Sequence, residues 1–295
     1  MHNRDEFHAA LRELGPRYQD DIAGNSQRVK DWYEALHASA STAGLEVERD
    51  LPYGDHPRQV LDVMAPTGAS GADVAVFVHG GAFVRGAKSG PQGVYDNVLR
   101  WFARQGFVGV NVEYRLAPEA PYPTGALDVA AALRWVRGHI AQRGGDPQRI
   151  LLMGHSAGGT HVATYAVDPV LGADRQPPRA LVLLSARLRA DVNKANPNAS
   201  AVRAYFGADP ALYDQRSPCA HASRCPCPVM LAVAEFDNPL LDLYGLEFAH
   251  AVAQAQGRAP RFVQCRSHNH MSIVAHFDTD EDALGRDILA FWAGL

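Results

Sequence analysis

Residues 149–163 read RILLMGHSAGGTHVA, an apolar run that ends on Gly154-His155-Ser156-Ala157-Gly158 and passes into a segment of helical composition. A strand that turns straight into a helix forces the residue at the bend into a strained backbone, so small residues must stand two positions to either side. Gly154 and Gly158 meet that demand. Such a turn lifts the Ser156 hydroxyl above the sheet and aims the Ala157 backbone N–H, at the helix start, toward whatever the hydroxyl attacks. The same letters also fit a plain glycine-rich connection, so the reading depends on what stands elsewhere in the chain.

A serine hydroxyl is a weak nucleophile near neutral pH; it needs a base to take its proton and a third group to orient that base. Two apolar runs further on end in candidates. After 229–233 comes Glu235-Phe236-Asp237-Asn238-Pro239, and after 262–265 comes Ser267-His268-Asn269-His270-Met271. Asp237 is favoured over Glu235, which falls within the strand. His270 is favoured over His268 because it lies further out. His155 and His161 sit too near Ser156 in sequence to act as its base and are read as packing or pocket residues. Upstream, the run 74–78 ends in His79-Gly80-Gly81-Ala82-Phe83, where consecutive glycines let the backbone approach a bound carbonyl. Gly80 and Gly81 are therefore expected to complete, with Ala157, an oxyanion hole.

Strand-length apolar runs at 60–64, 74–78, 108–112, 150–153, 180–184, 229–233 and 262–265 alternate with helical patterns, the signature of a mostly parallel sheet flanked by helices. Ala126, Val129, Leu133, Val136 and Ile140 step along one helical face that Gly144 and Gly145 end, and the last helix is expected to open at Thr279. Residues 1–45 read as two amphipathic helices and 187–227 as a Pro-containing insertion. Both are expected to cap the remaining domain, 46–295. Cap aromatics and neighbours of the turn, Trp32, Tyr33, Phe83, His155, Phe206 and Leu240, are candidate pocket residues.

The chain has 295 residues, 47% of them hydrophobic, with 28 basic and 32 acidic side chains and a formal charge of −4. This balance leaves no footprint for nucleic acid. No run approaches a membrane span and the polar start lacks a secretory signal, so a soluble cytoplasmic protein is expected. Cys219, Cys225 and Cys227 crowd near His221 without a second properly spaced pair, so they read as reduced thiols with Cys265, and no metal site is expected. Nothing in the pattern forces a homodimer, although an edge strand or the last helix could mediate one.

The segments HGGAF at 79–83, EYRLAPEAPYP at 113–123, GHSAGG at 154–159, EFDNP and HNHMS together resemble the hormone-sensitive-lipase-like carboxylesterases of the α/β-hydrolase fold, over roughly residues 50–295. GHSAGG and YGDHPRQVLDV at 53–63 are also similar to kynurenine formamidases. The resemblance implies serine hydrolysis of esters by Ser156, Asp237 and His270 without metal or organic cofactor. It also implies that Arg115 and Glu119 support the loop behind the oxyanion turn. Alanine at 82 and histidine at 155 depart from the common bacterial pattern and bear on the substrate. With no basic cluster evident, a neutral short-chain or aryl ester is expected. An arylformamidase, or a receptor on the same fold, is the alternative.

Overall fold

In the computed structural model, which describes residues 4–172 and 175–295, side-chain alternation along the strands decides which helices cover which face. The strands are β1 (Leu45–Pro52), β2 (Val60–Pro66), β3 (Ala72–Val78), β4 (Val108–Val112), β5 (Gly145–His155), β6 (Ala180–Leu184), β7 (Val229–Phe236) and β8 (Arg261–Asn269). They form one eight-stranded sheet in the order β1-β2-β4-β3-β5-β6-β7-β8. β2 pairs antiparallel with β1 and β4, and every other pairing is parallel.

The helices are α1 (Arg4–Leu14), α2 (Ile22–Ala38), α3 (Asp96–Arg104), α4 (Thr124–His139), α5 (Ala157–Val167), α6 (Ala199–Phe206), α7 (Pro218–His221), α8 (Leu241–Gln256), α9 (Ser272–Ala275) and α10 (Ala283–Ala293). Val74, Val76 and Val78 of β3 point to one face, where Leu133 and Val136 of α4, Val162 of α5 and Phe248 of α8 meet them. Ala75 and Phe77 point to the other, against Leu11, Val29, Phe102, Ile273 and Ile288. Because both faces are covered, these strands read as unbroken apolar runs. Cutting Leu133, fully buried, to alanine would cost about 2–5 kcal/mol.

The α/β-hydrolase arrangement expected from the sequence is the one observed. Differences fall at the margins. β1 escaped notice because an edge strand has one partner, so LEVERDLP keeps solvated Glu46, Glu48, Arg49 and Asp50 where a central strand would carry valines. The last helix starts at Ala283, later than expected; the Thr279 hydroxyl donates backward to the His276 carbonyl (2.6 Å) and accepts the Glu281 amide (3.3 Å), both ahead of the helix. Leu295, just past its end, is exposed. Cys219 points to the Tyr244 carbonyl and Cys225 to that of Cys227.

What the topology does for function is open a crevice. β3 leads through α3 to β4 on one side, while β5 leads through α5 to β6 on the other, so the connections diverge at the carboxyl ends of β3 and β5. The loop after β3 carries His79-Gly80-Gly81 and the turn after β5 carries Ser156. A third apolar cluster, with Phe83, Ala157, Val202, Tyr205, Phe206 and Tyr213, lies over this edge.

Candidate active site

Ser156 occupies the bend between β5 and α5 with φ 55° and ψ −118°, the strained region that a side chain rarely adopts. Neighbours hold it there. Its amide donates to the Leu184 carbonyl (3.0 Å), and its own carbonyl accepts the amides of Thr160 and Arg187 (both 3.2 Å). The bend is so tight that a Cβ on Gly158 would stand 2.2 Å from the Val78 carbonyl oxygen and 2.4 Å from that of His79. Glycine is therefore required by close approach.

The Ser156 hydroxyl lies 3.0 Å from His270 Nε2, and His270 Nδ1 lies 2.7 Å from Asp237 Oδ1. A carboxylate only accepts, so Nδ1 carries the proton and Nε2 is left as the acceptor facing the hydroxyl. Asp237, buried at the end of β7, is held at both oxygens. Oδ1 also accepts the Asn238 amide (2.8 Å), and Oδ2 accepts the Ser185 hydroxyl (2.6 Å) and the Ala234 amide (3.1 Å). From the N-terminal segment, Gln19 donates to the Asp237 carbonyl (2.8 Å).

The competing candidates are engaged elsewhere. Glu235 is exposed and accepts the Ser267 amide. His268 lies between Ser272 Oγ (3.0 Å) and Glu281 Oε1 (2.9 Å). His161 is walled in by Phe83, Tyr114 and Tyr205, and burial drops its pKa to about 3.

His155 does not border the pocket as expected. It is fully buried behind His270, where its Nε2–H donates to the His270 carbonyl (2.9 Å) and Nδ1 accepts from the Tyr95 hydroxyl (3.2 Å). Burial, then the neighbouring His270 charge, drives its pKa well down, so it stays neutral, as that bonding requires. The Tyr95 hydroxyl in turn accepts the Gly80 amide (3.2 Å). This relay ties the loop after β3 to the loop carrying His270, and it corrects the oxyanion reading. Gly80's N–H is spent on Tyr95, leaving the amides of Gly81, Ala82 and Ala157, which donate to no group among the described residues. Ala82 takes φ 49°, and a Cβ on Gly81 would overlap the Arg85 carbonyl oxygen at 1.8 Å.

The carboxylate that braces this loop is Glu113, where sequence pointed to Glu119. Glu119 is exposed. Glu113 accepts His79 Nε2 (2.8 Å), the Lys88 amide (2.9 Å) and Arg58. Burial pushes its pKa up, but the His79 bond and these other partners outweigh it and hold the group ionised below the usual value. Arg115 pairs instead with Asp128. Glu113 begins the EYRLAPE stretch, so its signal was present; its side chain simply reaches back across β4 to β3.

Beside Ser156 runs a groove lined by Ala82, Phe83, Ala157, Arg187, Asn198, Asn238 and Leu241. Of the aromatic and aliphatic candidates, Phe83 alone borders it. Phe206 lies behind, edge-on to Phe83 at 5.4 Å, and Leu240 yields its place to Leu241. Trp32 and Tyr33 pack on Phe7, and Tyr33 lines a separate cavity between the N-terminal helices and residues 278–281. Arg187, Asn198 and Asn238 were missed, because polar residues in loops carry no periodicity to place them.

With the geometry in view, comparison with known proteins is informative. The BD-FAE family profile matches residues 61–170. Carboxylesterase NlhH of Mycobacterium tuberculosis is 46% identical over 133 residues, covering 44% of this chain and 38% of NlhH. A solved bacterial heroin esterase superposes with a TM-score of 0.73 at 25% identity, covering 94% of this chain and 93% of that one. The chain is thus similar to carboxylesterases, in sequence over part of its length and in fold over nearly all of it. The gibberellin receptor GID1 of Oryza sativa subsp. japonica is also similar, 35% identical over 174 residues, 53% of this chain and 48% of the receptor. The matches thus span less than half the length of these curated relatives.

Proposed function

We propose that this chain hydrolyses carboxylic esters in two acyl transfers on Ser156. The observation that carries the proposal is the continuous line from Asp237 through His270 to the Ser156 hydroxyl, beside amides with no other acceptor. His270 Nε2 takes the hydroxyl proton as Ser156 Oγ attacks the ester carbonyl, and Asp237 stabilises the resulting imidazolium. Negative charge gathers on the carbonyl oxygen, where Gly81, Ala82 and Ala157 donate to it. As the tetrahedral species collapses, His270 protonates the departing alcohol. Water then attacks the acyl-enzyme, giving its proton to His270, and the acid leaves with Ser156 restored.

The groove beside Ser156 is narrow and walled by Ala82, Phe83 and Leu241, which favours a short acyl group. We assign residues 1–45 and 187–227 as the cap over a domain spanning 46–295, since Gln19 reaches Asp237 and Tyr205 stacks on Phe83 (4.6 Å). No helix among the described residues is long and apolar enough to cross a membrane, and the proposed substrate is a small molecule free in water.

The test is turnover of 4-nitrophenyl butyrate together with peptide mapping of a fluorophosphonate adduct. Turnover with the label on Ser156 is expected. An unlabelled Ser156 in folded protein would overturn the reading and favour a receptor, as the likeness to GID1 allows. N-formylkynurenine in the same assay distinguishes an arylformamidase.

A further inference from the structure

Arg187 is an unusual lining for a site expected to take neutral esters. It lies on the loop after β6, two residues beyond the Ser185 that donates to Asp237, and its amide bonds the Ser156 carbonyl (3.2 Å). The residue is 4% exposed and borders the groove beside Ser156. Its Nη1 donates to Asp191 (2.8 Å), which also accepts the Tyr244 hydroxyl (2.9 Å). That ion pair compensates the buried charge and fixes the guanidinium plane. Nη2, however, is buried and has no hydrogen-bond partner among the described residues. A charged donor sealed from solvent without an acceptor costs stability that an incoming oxygen atom would recover.

The rest of the wall agrees in sign. Asn198 on the groove is held by Arg85 (3.2 Å), whose charge is felt by Lys30, and Lys30's by His155. Among the described residues no carboxylate lines the groove, and Asp191 and Asp237 are already committed to Arg187 and His270. Planar guanidinium donors match the oxygens of a carboxylate.

We propose that Arg187 is a specificity-determining residue that binds a carboxylate on the substrate through Nη2, so that the preferred substrates are small esters bearing a free acid near the scissile bond. This rests on the ester-hydrolase reading and sharpens it. It replaces the neutral substrate expected from sequence, where one arginine among 28 basic residues gave no sign of its position.

The experiment compares matched pairs on the full chain: monomethyl glutarate against methyl pentanoate for the acyl side, and 4-acetoxybenzoate against 4-tolyl acetate for the alcohol side. The acid member of at least one pair should show a kcat/KM higher by about tenfold or more, mainly through KM, as expected for one added charged hydrogen bond. In Arg187→Met that ratio should fall by about tenfold to a hundredfold, with Arg187→Lys restoring part of it. Wild-type protein that favours the neutral member of both pairs would overturn the proposal, leaving Nη2 to an ordered water. That result needs no variant, so poor folding of Arg187→Met cannot obscure it. If none of the four esters is turned over, the ester-hydrolase reading fails instead. Calorimetry with glutarate and 4-hydroxybenzoate then decides the anion site by itself: binding that Arg187→Met abolishes upholds it, and no binding overturns it.

Discussion

Two serine–histidine–carboxylate constellations are built on histidines two residues apart at the carboxyl end of β8, His268 within the strand and His270 just after it. One joins Ser156, His270 and Asp237 at 3.0 and 2.7 Å; the other joins Ser272, His268 and Glu281 at 3.0 and 2.9 Å. By distance they are nearly the same. Their surroundings differ. Ser156 sits on a strained bend at a groove, next to amides without acceptors, whereas Ser272 is wholly buried and accepts the Asn269 amide (2.9 Å). On the proposed function, hydrogen-bonded proximity alone does not make a nucleophile. Access for a carbonyl, and donors aimed at the charge that develops on it, are what separate the two sets.

Replacing each serine by alanine breaks the comparison most sharply. Ser156→Ala should lower kcat for 4-nitrophenyl butyrate by on the order of a millionfold, whereas Ser272→Ala should keep most activity and lose about 1–2 kcal/mol of stability in urea titration. Equal losses of activity would mean the two sets are coupled and the distinction false. Asp237→Asn should cost on the order of ten-thousand-fold in kcat by favouring the wrong His270 tautomer. The corresponding Glu281→Gln should leave kcat within a few-fold.

Gly158→Ala tests the bend itself. Its Cβ has no room beneath Val78 and His79, so activity should fall by about a hundredfold or more and stability by about 1–3 kcal/mol. Retention of both would show that the tight turn is dispensable.

The smallest effect is on the acid side of the structural set. Burial pushes the Glu281 pKa up, but His268 and neighbouring histidines bring it down to about 2 from 4.5. A carboxyl whose folded pKa is depressed adds stability above its unfolded pKa and loses it as pH falls toward the folded value. Wild-type stability should accordingly fall more steeply than that of Glu281→Gln between pH 4.5 and 2, by equilibrium denaturation. Parallel curves would remove Glu281 from the balance. Buried His276, lowered to about 3 by desolvation, contributes with the same sign at higher pH: it stabilises above its unfolded value near 6.5 and that share is lost toward 3.

Much of this was legible in the chain. Apolar runs located seven of the eight strands, because strands covered on both faces need unbroken valine, leucine and isoleucine. Gly154-His155-Ser156-Ala157-Gly158 placed the bend because a close backbone crossing excludes any larger residue at Gly158. The downstream loops presented Asp237 and His270 as candidates because both follow strands whose ends must gather on one edge.

Sequence thus determined the layers of the fold and the residue types at the bend, since periodicity and the space demanded by backbone contact are local properties. Tertiary structure alone decided which histidine faces Ser156, which amide Tyr95 takes from the glycine loop, and that Glu113, not Glu119, braces His79. It alone carried Arg187 from an undistinguished loop to the groove with one nitrogen unpaired. These are partnerships between groups 15 to 114 residues apart. A hydrogen bond depends on distances of a few ångströms that only the packed sheet and its loops bring about.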